Sequence, residues 1–283
     1  MNKLNRDGLM PRPIRKWACH KLECFADYLD SYTRSRPNIQ RCYLELYASC
    51  GRCICTGTDC CIEDASLRAL KKNLARYIFV VSTRQDAESL ERLTKARSAN
   101  NIDIITGNCN NVKIIRQFLD LIPRSASSLA FLDPPGYRML RWNTIKHLAA
   151  HGADWKGNKM ELLIAFPLEM ALVRNLTRPE CQASISRLYG DQRWVDIRKH
   201  WLEGKIRPDD VRQQLVKLFK DGLKDLGYRY VDSYRPAAFS KSPFYHLIWA
   251  SDKDSGAIIL KDAWGQPRYL PCELLYNQGA PHE

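Results

Sequence analysis

No run of 18 apolar residues occurs anywhere in the 283-residue sequence, so no membrane-spanning helix is expected. The first residues are polar and basic and lack the apolar stretch of a secretory leader, so a cytoplasmic location is expected. Internal repeats and low-complexity segments are also missing, which leaves out solenoid and fibrous architectures. Glycine is scarce in the turn after the first predicted strand, where Gly51 stands alone, so by spacing the signature of a nucleotide-binding loop is incomplete. No histidine lies close in sequence to the cysteine cluster at Cys50, Cys53, Cys55, Cys60 and Cys61. Cys50-x-x-Cys53 has the spacing of metal ligands, and a metal or iron–sulfur site is one alternative. The remainder fits no four-ligand pattern, so ordinary thiols in and around a turn are expected and no metal site is assigned. Without a secretory leader, disulfides are not expected either.

Apolar residues, 45% of the chain, suffice for a real core in one large domain or two small ones. Lys and Arg number 44 against 31 acidic residues, a net charge of +13. That balance points to polyanionic partners, nucleic acid first, or to plain solubility charge.

In chain order, Pro11 and Pro13 precede a helix from Ile14 to Thr33, on which His20 and Lys21 read as solvated face. A strand follows at Cys42–Tyr47, running into the small-residue turn Ala48–Arg52. Helices at Leu67–Leu74, Gln85–Arg97, Val112–Leu121 and Trp142–Ala150 then alternate with strands at Tyr77–Val81, Ile102–Thr106, Ser128–Leu132 and Glu161–Phe166. That rhythm implies a parallel, doubly wound sheet. After Met170 helix follows helix, with 14 basic and 9 acidic residues from Arg174 to Arg235, a local +5. The apolar stripes Trp194, Ile197, Trp201 and Val211, Leu215, Leu218, Phe219 make these helices a cover for the sheet, with a nucleic-acid-facing surface as the alternative. Two more strands, Gly227–Val231 and Phe244–Ala250, form an antiparallel hairpin at the end of the sheet, and Gly227 suits the end of the preceding helix. His246, alternating inside the last strand, reads as structural. The resulting divisions are a helical segment 1–37, a first core part 38–172, a basic helical insertion 173–224, the closing strands 225–264 and a tail 265–283.

One stretch organises the rest: Ser128-Leu129-Ala130-Phe131-Leu132 ends abruptly at Asp133-Pro134-Pro135-Gly136-Tyr137. Proline donates no N–H and fixes its own φ, so the pair stops the strand and stiffens the turn. An acid at the carboxyl end of a central parallel strand sits where open α/β sheets bind ligands. The bland alternative is an Asp that merely caps the next helix. Asp-Pro-Pro also resembles the turn with which amino-group methyltransferases hold a base, the carboxylate and a carbonyl accepting hydrogen bonds from the NH2 while a nearby aromatic stacks.

The chain resembles one family in particular, the three-Cys-motif partner (TcmP) proteins, from about Trp17 to about Trp264. The likeness is carried by His20-Lys21-Leu22, Tyr28-Leu29, Tyr43-Leu44-Glu45-Leu46-Tyr47-Ala48, Gly51-Arg52, Leu67-Arg68-Ala69-Leu70 and Gly107-Asn108-Cys109-Asn110. Phe131-Leu132-Asp133-Pro134 with Gly136, Trp142-Asn143-Thr144-Ile145, Phe166-Pro167, Leu226-Gly227-Tyr228 and Tyr245-His246-Leu247-Ile248 complete it. The resemblance implies a Rossmann-like class I methyltransferase sheet, parallel with an antiparallel hairpin at its end, carrying a helical insertion. It implies S-adenosylmethionine as cofactor and a three-Cys-motif protein as partner, whose cysteines are not those clustered here. Glu45, Tyr47, Gly51, Ser82 and Asn108 would hold the cofactor. Asp133, Pro134 and Pro135 would act on the substrate amine, and Tyr137 would stack on its base.

The chain departs from the family's pattern at several points. Ser49 replaces a glycine of the first loop, and a side chain there would crowd the methionine moiety. Ser82 or Thr83 stands where methyltransferases place a ribose-binding acid, a loss on the order of 1.5–3 kcal/mol for a charge-assisted pair of hydrogen bonds. Asn108 replaces the acid that reads the adenine amino group. Asp64-Ala65-Ser66 replaces a Gly-Ser-Pro segment. Two expectations therefore compete: methyl transfer to a nucleic-acid amino group, or a methyltransferase fold without catalysis that binds its partner protein, nucleic acid or both. A thiol- or metal-dependent role for the cysteine cluster is a third, weaker one.

Overall fold

The computed structural model describes residues 11–34, 39–56, 60–95, 101–154, 159–234 and 245–253. The expectations for residues 1–10, for the loop at 235–244 and for the tail lie outside the described residues. In chain order the elements are β1 (Arg12–Ile14), α1 (Lys16–Arg34), β2 (Arg41–Ala48), β3 (Arg52–Cys55), β4 (Cys60–Glu63), α2 (Ala65–Ala69), β5 (Arg76–Val81) and α3 (Arg84–Lys95). Then come β6 (Ile102–Thr106), α4 (Val112–Asp120), β7 (Ser127–Leu132), α5 (Trp142–Ala150), β8 (Glu161–Phe166), α6 (Gln182–Tyr189), α7 (Trp194–Leu202), α8 (Pro208–Asp225), β9 (Tyr230–Tyr234) and β10 (His246–Ser251).

Seven strands form one sheet in the order β6-β5-β2-β7-β8-β10-β9. The first five run parallel, and β10 lies antiparallel to both β8 and β9. Renumbered within the sheet the order is 3-2-1-4-5-7-6, the Rossmann-like class I methyltransferase arrangement with its antiparallel closing hairpin. Strands β7 and β8 are buried along their whole length, as a parallel sheet covered on both faces requires.

One face packs against α1, α2 and α3 through Phe25, Tyr28, Tyr43, Phe79 and Phe131. The other packs against α4, α5 and the helices α6 to α8. There Phe219 of α8 meets Trp142, Phe166 and Tyr189 at ring-centroid distances of 5.4, 4.6 and 6.2 Å. Burying one such side chain contributes about 1.5–3 kcal/mol, so this face of the basic helices is core.

Four details differ from expectation. Cys53, Cys55, Cys60 and Cys61 lie on two short strands and not around a turn, in a second sheet of order β1-β3-β4. In β3 it is Cys53 and Cys55 that point inward while Ile54 is half-buried, so cysteine serves as the small apolar residue. Cys19 of α1 and Cys55 of β3 form a disulfide, with Cα atoms 6.4 Å apart, where none was expected. The helix begun near Leu67 stops at Ala69, because the Lys72 carbonyl accepts the Tyr77 hydroxyl as the chain turns into β5. The first hairpin strand starts at Tyr230, three residues late, because the reversal at Gly227 (φ +86°) uses Tyr228 to close the end of α8 through an N–H bond to the Leu223 carbonyl.

Candidate active site

Strand order reverses between β2 and β7, and the carboxyl ends of these two strands carry Glu45 and Asp133. A crevice at such a switch point is where open α/β sheets take ligands. Side chains alternate along a strand, so Tyr43, Glu45, Phe131 and Asp133 face the α1–α2 side. Glu45 is 4% exposed. It accepts hydrogen bonds from the Ser66 hydroxyl at 2.9 Å and the Tyr43 hydroxyl at 3.2 Å. Burial, followed by the charge of Asp64, pushes its carboxyl well above the ordinary carboxylate range.

Asp64 organises the loop after β2. Its carboxylate accepts the Ser49 hydroxyl at 2.7 Å and the Gly51 N–H at 2.9 Å, and it caps α2 through the Leu67 N–H at 3.4 Å. Burial raises its pKa while these hydrogen bonds act the other way. Ser49, Asp64 and Ser66 are three of the positions at which the chain departs from the family's pattern, and here each makes a buried hydrogen bond in the loop region. Ser49 is turned onto Asp64, and Ser66 onto Glu45. Gly51 adopts φ +92°, and a Cβ there would stand 2.7 Å from the Leu93 side chain. The left-handed backbone is what requires glycine here, since the Leu93 methyl at the far end of a flexible side chain can give way.

Asp133 meets the N-terminal helix. Its Oδ1 forms an ion pair with Lys21 of α1, and the Lys21 ammonium lies 5.4 Å from the Trp17 ring centroid. Trp17 packs on Tyr245 at 5.7 Å, and the Tyr245 hydroxyl lies 3.4 Å from His20 Nδ1. Lys21 is therefore not solvated face; it is 7% exposed and lies against the Asp-Pro-Pro turn. Pro134 is buried and Pro135 exposed.

The remaining candidates are placed as follows. A register shift in β2 between Glu45 and Ala48 sends Tyr47 toward the opposite core, where its hydroxyl donates to the Met139 carbonyl at 2.8 Å. Ser82 and Asn108 are exposed beyond the ends of the neighbouring strands β5 and β6. Asn108 Oδ1 already accepts the Asn110 N–H at 2.9 Å. Asp86, downstream of Ser82, accepts the Thr83 hydroxyl at 2.6 Å. Tyr137 is 2% exposed, with its hydroxyl 3.0 Å from Ser184 of α6, so its ring belongs to the core under the helical layer and presents no stacking face. The structure thus brings Glu45, Gly51 and Asp133 to one end of the sheet beside Ser82 and Asn108, and turns Tyr47 and Tyr137 to the other core.

Asp64, Ser66, Lys21 and Tyr245 stand out in the sequence only in other roles, and none is expected there as a site residue. For Asp64 a signal existed: an acid just before an apolar helical run is an N-cap pattern. Cys53 is held protonated by burial and by Asp64, its pKa pushed up to about 12, and burial raises Cys109 to about 11. Neither is a reactive thiol. Among the described residues no group of three or more His, Cys, Asp or Glu side chains forms a metal cage, and no helix is long and apolar enough to cross a membrane.

No protein-family model matches the chain, and no curated protein matches it. Solved structures with a related architecture include the candidate methyltransferase yhhF from Escherichia coli, at 13% identity and TM-score 0.40, covering 81% of this chain and 85% of that one. An O-methyltransferase family protein from Burkholderia thailandensis is similar at 12% identity and TM-score 0.42, over 82% of this chain and 56% of that one. The bifunctional kinase-methyltransferase WbdD is similar at 10% identity and TM-score 0.45, over 82% of this chain but only 39% of its own. With TM-scores below 0.5, the class I methyltransferase assignment of the fold rests on the strand order and not on these likenesses.

Proposed function

We propose that this chain is a methyltransferase of the three-Cys-motif partner kind, moving a methyl group from S-adenosylmethionine to an amino group of a nucleic acid. The observation that carries the reading is the meeting of Glu45, Asp64 and Asp133 at the switch point, close enough that the charges of Asp64 and Asp133 both act on Glu45. These carboxyl groups are acceptors suited to a ligand bearing an ammonium, whose positive charge would favour the ionised form of Glu45, and the exposed Ser82 and Asn108 supply polar groups for its adenosine end. When bound, the cofactor supplies an electrophilic methyl group.

The chain's own residues then orient the acceptor. Asp133 Oδ1 is engaged by Lys21, while its Oδ2 has no hydrogen-bond partner among the described residues and accepts from the target NH2. The Pro134 carbonyl accepts a hydrogen bond from the second amine N–H. Catalysis of this kind is largely the holding of a nucleophile in line with the methyl carbon. Asp133 would hold the amine toward that methyl group, and the proton the methylated amine gives up would leave to solvent past Asp133. For a duplex substrate the base is flipped out first.

Transfer of a labelled methyl group into total RNA and DNA tests this. Wild-type protein should label one of them, and Asp133→Asn, checked for folding by thermal unfolding, should lower the rate by about 100-fold or more. Absence of label in both nucleic acids from a protein that binds cofactor would remove the substrate class.

A second reading has its own support. The Gly51 N–H and Asn108 Oδ1, which would face a cofactor, are already bonded within the chain. On that reading the fold is a non-catalytic subunit for a three-Cys-motif protein, with nucleic acid as a further partner.

A further inference from the structure

A groove of about 440 Å³ lies between the start of α5 and the second half of α6, on the helical side of the sheet. That volume is in the range of sites that hold small ligands or parts of larger ones, about 300–1,000 Å³. Its lining includes Arg141, Lys146 and Arg187, and no carboxylate. All three cations are exposed, and none makes an ion pair among the described residues. Elsewhere in the helical layer Arg193, Arg207, Lys217 and Lys220 each engage an aspartate, so the three groove cations are set apart by converging on one concavity and not by lacking a partner alone. Three cations converging on one concavity without a counter-charge repel one another, a cost that a bound polyanion removes.

The groove is tied to β2 and to the segment after the Asp-Pro-Pro turn through one carbonyl. Met139, in the segment that follows the Asp-Pro-Pro turn, accepts hydrogen bonds from the Tyr47 hydroxyl of β2 and from Asn110 Nδ2, each at 2.8 Å. Asn110 also lines the groove and accepts the Thr144 hydroxyl at 2.7 Å. The first strand, the loop bearing Asn108, the Asp133–Arg141 segment and the start of α5 are therefore held together. Aromatic packing of Trp142 on Phe219 fixes the wall beneath. At the foot of the groove Arg141 precedes α5 without capping it through its side chain, so the helix start adds its own partial positive charge.

We propose that this groove seats the phosphodiester backbone of a single-stranded nucleic acid beside the Asp133 turn, with Arg141, Lys146 and Arg187 each taking a phosphate. The proposal deepens the nucleic-acid reading above and rests on it for its biological sense, but backbone binding is measurable with no cofactor present. Such contacts position a strand and carry no sequence preference of their own.

The test is fluorescence anisotropy with a labelled mixed-sequence single-stranded oligonucleotide, without cofactor, at several salt concentrations. It compares wild type, the groove triple Arg141→Glu/Lys146→Glu/Arg187→Glu, and a charge-matched control triple Lys71→Glu/Arg92→Glu/Lys95→Glu on the other face, each checked by thermal unfolding. The groove triple should lose at least about tenfold in affinity, and its slope of log K against log salt should shrink by about 2, three contacts at about 0.7 each. The control should lose no more than about threefold through the general field. Equal losses in both triples, or no wild-type binding tighter than about 100 μM at physiological salt, would overturn the proposal. Failure of the methyltransferase reading shows differently, as oligonucleotide binding that depends on the groove beside absent cofactor binding.

Discussion

Lys21 of α1 and Asp133 at the end of β7, 112 residues apart, form an ion pair with side-chain exposures of only 9% and 17%. The pair places the opening helix directly against the Asp-Pro-Pro turn. A mostly buried ion pair contributes little net stability, but removing one partner leaves a charge without compensation. Lys21→Met should therefore cost about 2–4 kcal/mol in urea unfolding, and Asp133→Leu in the same background should recover most of it. A Lys21→Met variant as stable as wild type would mean that the two side chains do not interact in solution.

Glu45 ties stability to pH. Its folded pKa lies above the ordinary value of 4.5, chiefly through burial. A carboxyl raised in the folded state holds its proton longer than in the unfolded chain. Its contribution is therefore fully present below about 4.5 and is lost as pH rises through the folded value. Glu45→Gln mimics the protonated form, so it should be more stable than wild type at pH 8 and nearly equal to it at pH 4. Urea titrations at the two pH values decide this, and an advantage confined to acid pH would reverse the sign and refute the assignment.

The doubly wound core was legible in the sequence because its strands and helices are long, apolar and strongly periodic. Every strand of the parallel core lies within one or two residues of its expected place. The small β1-β3-β4 sheet was not legible: its strands have three or four residues, and in β3 the buried positions are cysteines while isoleucine faces outward. The partners of individual side chains were hidden for a different reason. Lys21 meets Asp133, and Ser49 meets Asp64, only after the chain has folded, and helical spacing alone cannot separate such a lysine from a solvated one. Tyr137 follows the Asp-Pro-Pro turn as a stacking residue would, yet its ring is drawn into the core by Ser184 of the helical layer.

Glycine requirements distinguish the two loops at the candidate site. Gly51→Ala places a Cβ 2.7 Å from Leu93 at a φ of +92°, whereas a Cβ at Gly136 meets nothing within 4 Å. The first substitution should cost about 1–3 kcal/mol and the second less than about 0.5, by thermal or urea unfolding. Equal effects would show that the first loop is not held in this conformation.

Calorimetric titration of the protein with S-adenosylhomocysteine, with Asn108→Ala measured alongside, decides whether a cofactor binds at the switch point. Micromolar binding is expected, a free energy of about −8 kcal/mol, weakened several-fold by the substitution. No detectable heat at millimolar ligand from well-folded protein would contradict it and leave a methyltransferase fold that serves as a binding subunit.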